Sequence, residues 1–413
     1  MAQTAAALQD VMKEVFTADM LEKQFYDEVP FLDRLEKTDR HPVIGKKAVV
    51  PIHSGRSGGT TVTSNAGSSA LNPADAQKVA RAEYNIAYNW QQISIQTGAL
   101  NEAHGGNSAA TDALALEVTG AVSDLRKQVL RQFVGNGDAL IALCAIGGAS
   151  TTVNLAASGY GYDAIVRGQL YPGQTIDIGT TANETSIAAD RQITAVSQSA
   201  TAPTITISGA AVTTDATHYI SLANSRSGTT SYESAGLRNI AGSATASLGG
   251  LSPSTSPYWK PASVDTTTTD LSLDLLLDMQ TAVAQVTGDK GKPVLVTSYK
   301  QRQNLYAMLQ QQVRFSTDDK VGAGNVRKAF WGDVEIMALA DIPDRELYML
   351  SLSDLLLVTG KHGKPQFVSE LEGTNKGLGW VPGTTSFVDA LWYGVGLGAS
   401  RRNTHAAAVG LTA

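Results

Sequence analysis

The chain has 413 residues and a mass of 43.3 kDa, which at about 150 residues per domain predicts two to three domains with ample core. Charged residues make up 17% and hydrophobic ones 43%, which excludes a disordered chain, and a net charge of −6 leaves no overall basic footprint for nucleic acid. A single cysteine, Cys144, excludes an internal disulfide framework and a multi-thiolate zinc site.

The longest apolar runs, such as Leu275 to Leu277 and Leu355 to Val358, are far too short to span a bilayer. Met1 to Phe16 lacks the basic–apolar–small order of a signal peptide. The expectation is a soluble protein made in the cytoplasm. With 39 glycines and only 6% aromatics, the composition suits loops and strands rather than an aromatic-lined catalytic pocket.

Leu8, Val11, Met12, Val15 and Phe16 sit at helical spacing. A second short helix, Ala18 to Asp27, ends ahead of Val29-Pro30, because proline disfavours a helical residue before it. Phe31, Leu32 and Leu35 then form apolar anchors. An arm of this kind packs on something, and another subunit is one candidate.

Lys46 to Ile52 is rich in β-branched residues, and Gly55 to Pro73 reads as a mobile Ser/Thr/Gly tip. On the return strand Ala82, Tyr84, Ile86, Tyr88 and Trp90 share one face. The parity then switches to Ile93 and Ile95, which predicts a bulge near Gln91-Gln92.

Residues 109–134 carry the strongest helical signal. Leu114, Val118, Ala121, Val122, Leu125, Val129 and Phe133 make one stripe. Ser108 or Thr111 can cap the start, and Gly135 and Gly137 stop it. At about 1.5 Å per residue the helix is about 39 Å long.

From residue 163 short β-rich runs follow: Thr175 to Ile178, Arg191 to Val196, Thr204 to Ser208 and His218 to Leu222. Their closely spaced turns predict a small inserted barrel or sandwich. A Ser/Pro/Gly/Thr linker, Gly242 to Pro261, closes it, with Tyr258-Trp259 near its end.

Beyond the linker, a helix over Leu271 to Thr287 is expected to bury Leu275, Met279, Val283 and Val286. Val294 to Val296 is a buried strand, and Ser298 with Gln301 is a capping-box pattern. Strands follow at Val334 to Leu339, Glu346 to Leu350, Thr384 to Gly394 and Ala407 to Leu411.

Catalytic motifs are weak. Gly55-Arg56-Ser57-Gly58-Gly59 matches G-x-S-x-G, but Thr60 to Asn65 cannot easily start the helix that a nucleophile elbow needs, so a hydrolase using Ser57 is disfavoured. Gly394-Val395-Gly396-Leu397-Gly398 has glycines without room for the helix of a dinucleotide loop. The Gly-Lys pairs at Lys46, Lys292 and Lys364 lack Walker spacing, and the six histidines form no His-x-x-x-His pair. Asp270, Asp274 and Asp278 could gather a cation but fit a solvated helix face. Arg401-Arg402 beside His405 could touch phosphate but fit a surface or interface pair better. Asn183-Glu184-Thr185 is a glycosylation sequon by chance. No catalytic, cofactor or metal residue is assigned.

The succession is arm, long hairpin, very long helix, α/β layer and closing strands. Together with Val29-Pro30-Phe31-Leu32, the run Lys78 to Gly98 into Leu100-Asn101-Glu102-Ala103, Ala390 to Gly394 and Arg401 to His405, it resembles the major capsid protein of tailed bacteriophages, the Hong Kong 97-type fold. The resemblance implies an α+β subunit. Residues 1–45 would be an N-terminal arm, 46–97 an E-loop hairpin, and 98–162 a peripheral domain with the spine helix 109–134. Residues 163–261 would be an inserted β-barrel-like domain and linker, 262–375 an axial domain, and 376–413 strands closing the peripheral domain.

The implied function is self-assembly into hexamers and pentamers of an icosahedral shell, made in the host cytoplasm and ending in the virion. Implied partners are other copies, a portal protein, a separate scaffolding protein, a decoration protein and non-specifically enclosed double-stranded DNA, with no membrane and no enzyme activity. The alternatives are an encapsulin-type compartment shell and a tail-tube or adhesin subunit. Some members of the family lock neighbours by a Lys–Asn isopeptide bond beside a catalytic Glu. Here Lys46, Lys47 or Lys78 and Asn403 are available, but residues 373–413 hold no Glu and Asp389 is their only acid, so a non-covalent shell is expected.

Overall fold

A computed structural model describes residues 30–37, 43–44, 47–55, 57–62, 72–73, 76–96, 107–157, 160–288, 293–310, 329–331, 334–360, 365–367, 379–380 and 386–412. The two arm helices expected before Pro30 and the hairpin tip at residues 63–71 lie outside the described residues, as do His41, His104 and His362. The chain divides into two compact units. One comprises Met1–Lys37, Ile86–Ser234 and Leu357–Gly396; the other comprises Thr38–Asn85, Ala235–Leu356 and Leu397–Ala413.

The first unit is built on the helix Asn107–Val134, 28 residues long. Val118, Ala121, Val122, Leu125, Val129 and Phe133 are all buried, as the stripe requires. The helix stops where Gly135 donates to the Arg131 carbonyl at 2.9 Å and Gly137 takes φ 75°, a conformation glycine adopts without strain. It packs on the strand Ala87–Gln96, where the Gln132 amide donates to Asn89 Oδ1 at 2.5 Å.

That strand pairs antiparallel along its length with Ser386–Ala399, from Ala87 opposite Val395 to Gln96 opposite Ser386, with no bulge at Gln91-Gln92. The parity changes earlier, at Ile86. Lys78–Asn85 belongs to one ladder, Ala87–Gln96 to another, and Ile86 lies between them. Ala82 and Tyr84 are therefore buried on one phase, Ala87, Asn89 and Ile93 on the other, and Tyr88 and Trp90 turn out to solvent. Ser386–Ala399 also pairs with Gly379–Trp380, Gln366–Phe367 and Leu355–Thr359, and Glu36–Lys37 pairs with Leu355–Thr359.

The same unit holds a second sheet. Its strand order is Leu140–Leu143, Tyr219–Leu222, Thr175–Gly179, Ala188–Ser197, Thr204–Ile207, Thr152–Asn154, with antiparallel neighbours throughout. The end strands meet through a bridge between Cys144 and Leu155. There Ala145 donates to the Asn154 carbonyl at 2.8 Å and Ala156 to the Leu143 carbonyl at 3.0 Å. Ile141, Val153, Ile176, Ile178, Ile205 and Ile220 fill its core. Every β-run expected after residue 163 is a strand. The sheet also recruits Leu140–Leu143 and Thr152–Asn154, which lie ahead of that position.

Asp177 pins two of its turns: its carboxylate accepts from Asp190 N at 2.8 Å and Asn224 N at 3.3 Å, residues with φ 51° and 60°. Arg131, at the helix end, makes a buried ion pair with Glu233.

In the second unit Lys47–Gly55 and Lys78–Asn85 form the long hairpin, with Val43–Ile44 on its outer edge. Ala48, Val50, Ile52, Ala82 and Tyr84 are its buried face. The main sheet runs Ser263–Asp265, Ala406–Val409, Glu346–Leu350, Val294–Thr297, Val334–Ala338, Ala329–Trp331, with mixed parallel and antiparallel pairing. The expected closing strands thus divide: Ser386–Ala399 runs mostly through the first unit, whereas Ala406–Val409 completes the sheet of the second.

The helix Leu273–Thr287 covers this sheet's core through Leu276, Met279 and Val283. Its buried face is turned from the expected Leu275/Val286 line, leaving Val286 at the edge. Ser272 caps it by accepting from Leu275 N at 3.2 Å. Only half of the expected capping box forms at the next helix. Ser298 Oγ accepts from Gln301 N at 3.2 Å, while the Gln301 side chain donates instead to the carbonyls of Asp344 and Thr412, each at 2.7 Å.

Candidate functional site

The motifs with catalytic overtones stay apart. Gly55 ends its strand and no helix follows at the described residues 57–62, so Ser57 has no elbow. Gly394 to Gly398 lies inside the strand Ser386–Ala399. Asp274 and Asp278 are exposed on the Leu273–Thr287 helix, and Asp270 precedes it, accepting from the Thr412 hydroxyl. Among the described residues no group of three His, Cys, Asp or Glu is placed to hold a metal ion. Cys144 is buried, and burial pushes its thiol up to about 12, far from a reactive thiolate.

Arg402 departs most from the sequence reading. It is not a surface base: its side chain is fully buried. Nε donates to the Ile240 carbonyl at 2.8 Å; Nη1 to Ala246 at 2.6 Å and Trp259 at 3.4 Å; Nη2 to Asn239 at 2.8 Å and Ser243 at 2.6 Å. Five N–H groups meet five carbonyls, the full donor capacity of a guanidinium. Burial lowers its pKa to about 10, so it remains charged at neutral pH.

Three of these carbonyls, Ser243, Ala246 and Trp259, belong to the stretch expected to be a linker, Gly242 to Pro261, and the other two, Asn239 and Ile240, lie just ahead of it. Trp259 is itself buried and donates to the Leu248 carbonyl at 2.9 Å. His405 sits close in sequence, fully buried, its Nδ1 accepting from Ser351 N at 3.3 Å. Burial drives its pKa down to about 4, the Asp354 carboxylate opposing and the Arg402 and Arg401 charges adding to the effect, so the ring is neutral.

The clamped segment in turn seats the hairpin. Glu83 N donates to the Gly249 carbonyl at 2.9 Å, and Gly249, at φ 61°, approaches so closely that a Cβ there would lie 2.9 Å from that of Ala82. Tyr84 crosses Gly398 in the same way: an added Cβ would meet its ring at 2.8 Å, and its hydroxyl donates to the Ala399 carbonyl at 2.6 Å. The glycine run that mimicked a nucleotide loop thus makes room for an aromatic ring.

In the first unit, Trp90 lies opposite Trp392 in the ladder, ring centroids 6.1 Å apart, and Tyr88 stacks on Trp392 at 5.9 Å. Tyr88 and Trp90 remain 43% and 57% exposed. Of the lysines considered for covalent locking, Lys47 is paired with Glu83 at 2.9 Å, and Lys46 lies outside the described residues. Asp389 is buried and accepts from Ala390 N at 2.7 Å.

Among the described residues these groups form seating contacts and exposed surfaces. No protein-family model matches the chain, and no curated protein matches it. Among solved structures it is similar to a chain of the cyanophage A-1(L) capsid asymmetric unit, with TM-score 0.50 and 13% identity over 92% of this chain and 91% of that one. It is also similar to a chain of the satellite phage P4 procapsid, with TM-score 0.46 and 10% identity over 96% and 91% of the two chains. A virus-like particle from Pyrococcus furiosus gives TM-score 0.38 and 10% identity over 94% and 98%. The chain has the α+β capsid fold of the Hong Kong 97 type.

Proposed function

We propose that this chain is the major capsid protein of a tailed double-stranded DNA bacteriophage, assembling with copies of itself into hexamers and pentamers of an icosahedral shell. The observation that carries the reading is the likeness to the cyanophage capsid chain over nine-tenths of both chains. The long hairpin supports it: a ribbon with Val62 95% and Val79 66% exposed gains burial by lying on a neighbour. No enzyme activity enters this reading, and its location is the virion.

The finer assignments follow the same lines. Residues 1–45 serve as the arm, 46–97 as the E-loop, and the helix at 109–134 as the spine of the peripheral domain. The axial domain is drawn from 262–375, where the Leu273–Thr287 helix and all strands of the mixed sheet except Ala406–Val409 lie. Residues 163–261 serve as the inserted β-barrel-like domain and linker, its sheet completed by Leu140–Leu143 and Thr152–Asn154 and its end strands meeting at Cys144 and Leu155. A portal protein, a separate scaffolding protein and a decoration protein are its further partners, and the enclosed DNA is held without sequence preference. Negative-stain microscopy of the expressed protein tests the reading: closed shells support it, whereas tubes would favour a tail protein and dispersed monomers an adhesin.

A further inference from the structure

A cleft of about 680 Å³ opens within the second unit, lined by the hairpin strand at Pro51 to Gly55, by Tyr258, by Val286 at the end of its helix, and by Ser400 to Asn403. Among the described residues its lining holds two arginines and a histidine but no Asp or Glu, in a chain whose net charge is −6. Arg402 spends all its N–H groups on backbone carbonyls, and its charge has no carboxylate counterpart among the described residues. Arg401 is exposed and makes no ion pair among the described residues. Beside it Tyr258 is 60% and Val286 36% exposed. The cleft thus offers one free planar guanidinium, positive potential behind it and an apolar rim.

We infer that this cleft receives the acidic, apolar segment 1–29 of a neighbouring copy, a carboxylate of that segment pairing with Arg401. Residues 1–29 carry six acids, Asp10, Glu14, Asp19, Glu22, Asp27 and Glu28, against two lysines. Net −4 of the chain's −6 is therefore concentrated there. Asp19-Met20-Leu21-Glu22 and Asp27-Glu28-Val29 place carboxylates directly beside apolar side chains, which matches a guanidinium ringed by Tyr258 and Val286. A nucleic-acid strand fits less well, because tracking a phosphate backbone takes a row of bases, and the described residues of the cleft supply one accessible guanidinium. A guanidinium favours a carboxylate because both are planar and can bond in a fork.

The inference rests on the shell reading only in supplying the neighbour. The test uses the full chain carrying a photo-reactive residue at position 258, or at 286 as a second probe, with isotopically light and heavy copies mixed before assembly. Cross-linked peptides are then mapped by mass spectrometry. The expected product joins the probe to residues 1–29 of the other isotope. Its yield should fall about tenfold with Arg401→Glu and recover when Asp19, Glu22, Asp27 and Glu28 are changed to Lys. Cross-links to nucleic acid, to another segment, to residues 1–29 of the same copy, or none, overturn the inference. Microscopy of the same sample scores the shell separately: cross-linked copies in non-shell oligomers would sustain the docking and refute the shell, and shells without the cross-link would do the reverse.

Discussion

Replacing Arg402 should cost stability in steps set by counting donors. Its five N–H groups satisfy five buried or part-buried carbonyls from Asn239 to Trp259. Lysine has three donors, so Arg402→Lys strands at least two carbonyls at about 1–3 kcal/mol each, a loss of about 2–6 kcal/mol. Arg402→Met keeps the stem but satisfies none, and the loss should exceed about 5 kcal/mol, comparable with the whole stability of many domains. Arg401→Ala, one residue away and exposed, is the control and should stay within about 0.5 kcal/mol. Urea denaturation of unassembled subunits gives the ranking, and limited proteolysis between residues 242 and 261 shows whether the clamped segment is released first. A lysine variant within about 1 kcal/mol of the parent, with that segment still protected, would refute the carbonyl-clamp reasoning.

Leu125→Ala, in the fully buried stripe of the Asn107–Val134 helix, should cost about 2–5 kcal/mol in the same denaturation assay. His405 has its pKa lowered from 6.5 to about 4 by burial. Above pH 6.5 the ring is neutral in both folded and unfolded chains and costs nothing. As pH falls from 6.5 towards 4 the unfolded chain takes up the proton first, and about 3 kcal/mol of stability is lost across that window. A His405→Asn variant should show a correspondingly shallower pH dependence. Expressed alone, residues 139–235 should give a β-type circular dichroism spectrum while 163–235 should not, because the shorter piece lacks the strands Leu140–Leu143 and Thr152–Asn154. Boiled, denatured particles should run as single chains of 43.3 kDa, since residues 373–413 supply no Glu to activate a lysine for isopeptide formation; a ladder of multimers would contradict this.

Where periodicity was long and unbroken, the sequence was a sufficient guide. The stripe from Val118 to Phe133 is buried as read, and the alternation at Thr204–Ile207 buries Ile205 and Ile207. Legibility failed where the decisive partner lies far along the chain. Leu140–Leu143 is too short and uniformly apolar to declare itself a strand, and its ladder partner is Tyr219–Leu222. Tyr84, Tyr88 and Trp90 share one parity in sequence, yet Tyr84 is buried while Tyr88 and Trp90 are exposed, because the chain changes ladders at Ile86. Arg402 resembled a surface base because an adjacent arginine pair carries no sign of burial. Three of the carbonyls that accept it, Ser243, Ala246 and Trp259, sit in the segment Gly242 to Pro261, whose Ser/Pro/Gly/Thr content suggests a linker. Gln301 was recognised as a capping residue, but only its backbone N–H serves that purpose; its side chain reaches Asp344 and Thr412.

A three-dimensional electron-microscopy reconstruction of particles formed by the expressed chain tests the central claim most directly. The account predicts a closed icosahedral shell in which every subunit contains the helix Asn107–Val134, and in which the hairpin Lys47–Gly55/Lys78–Asn85 lies across an adjacent copy. Helical tubes, or particles in which the hairpin contacts only its own subunit, would contradict it.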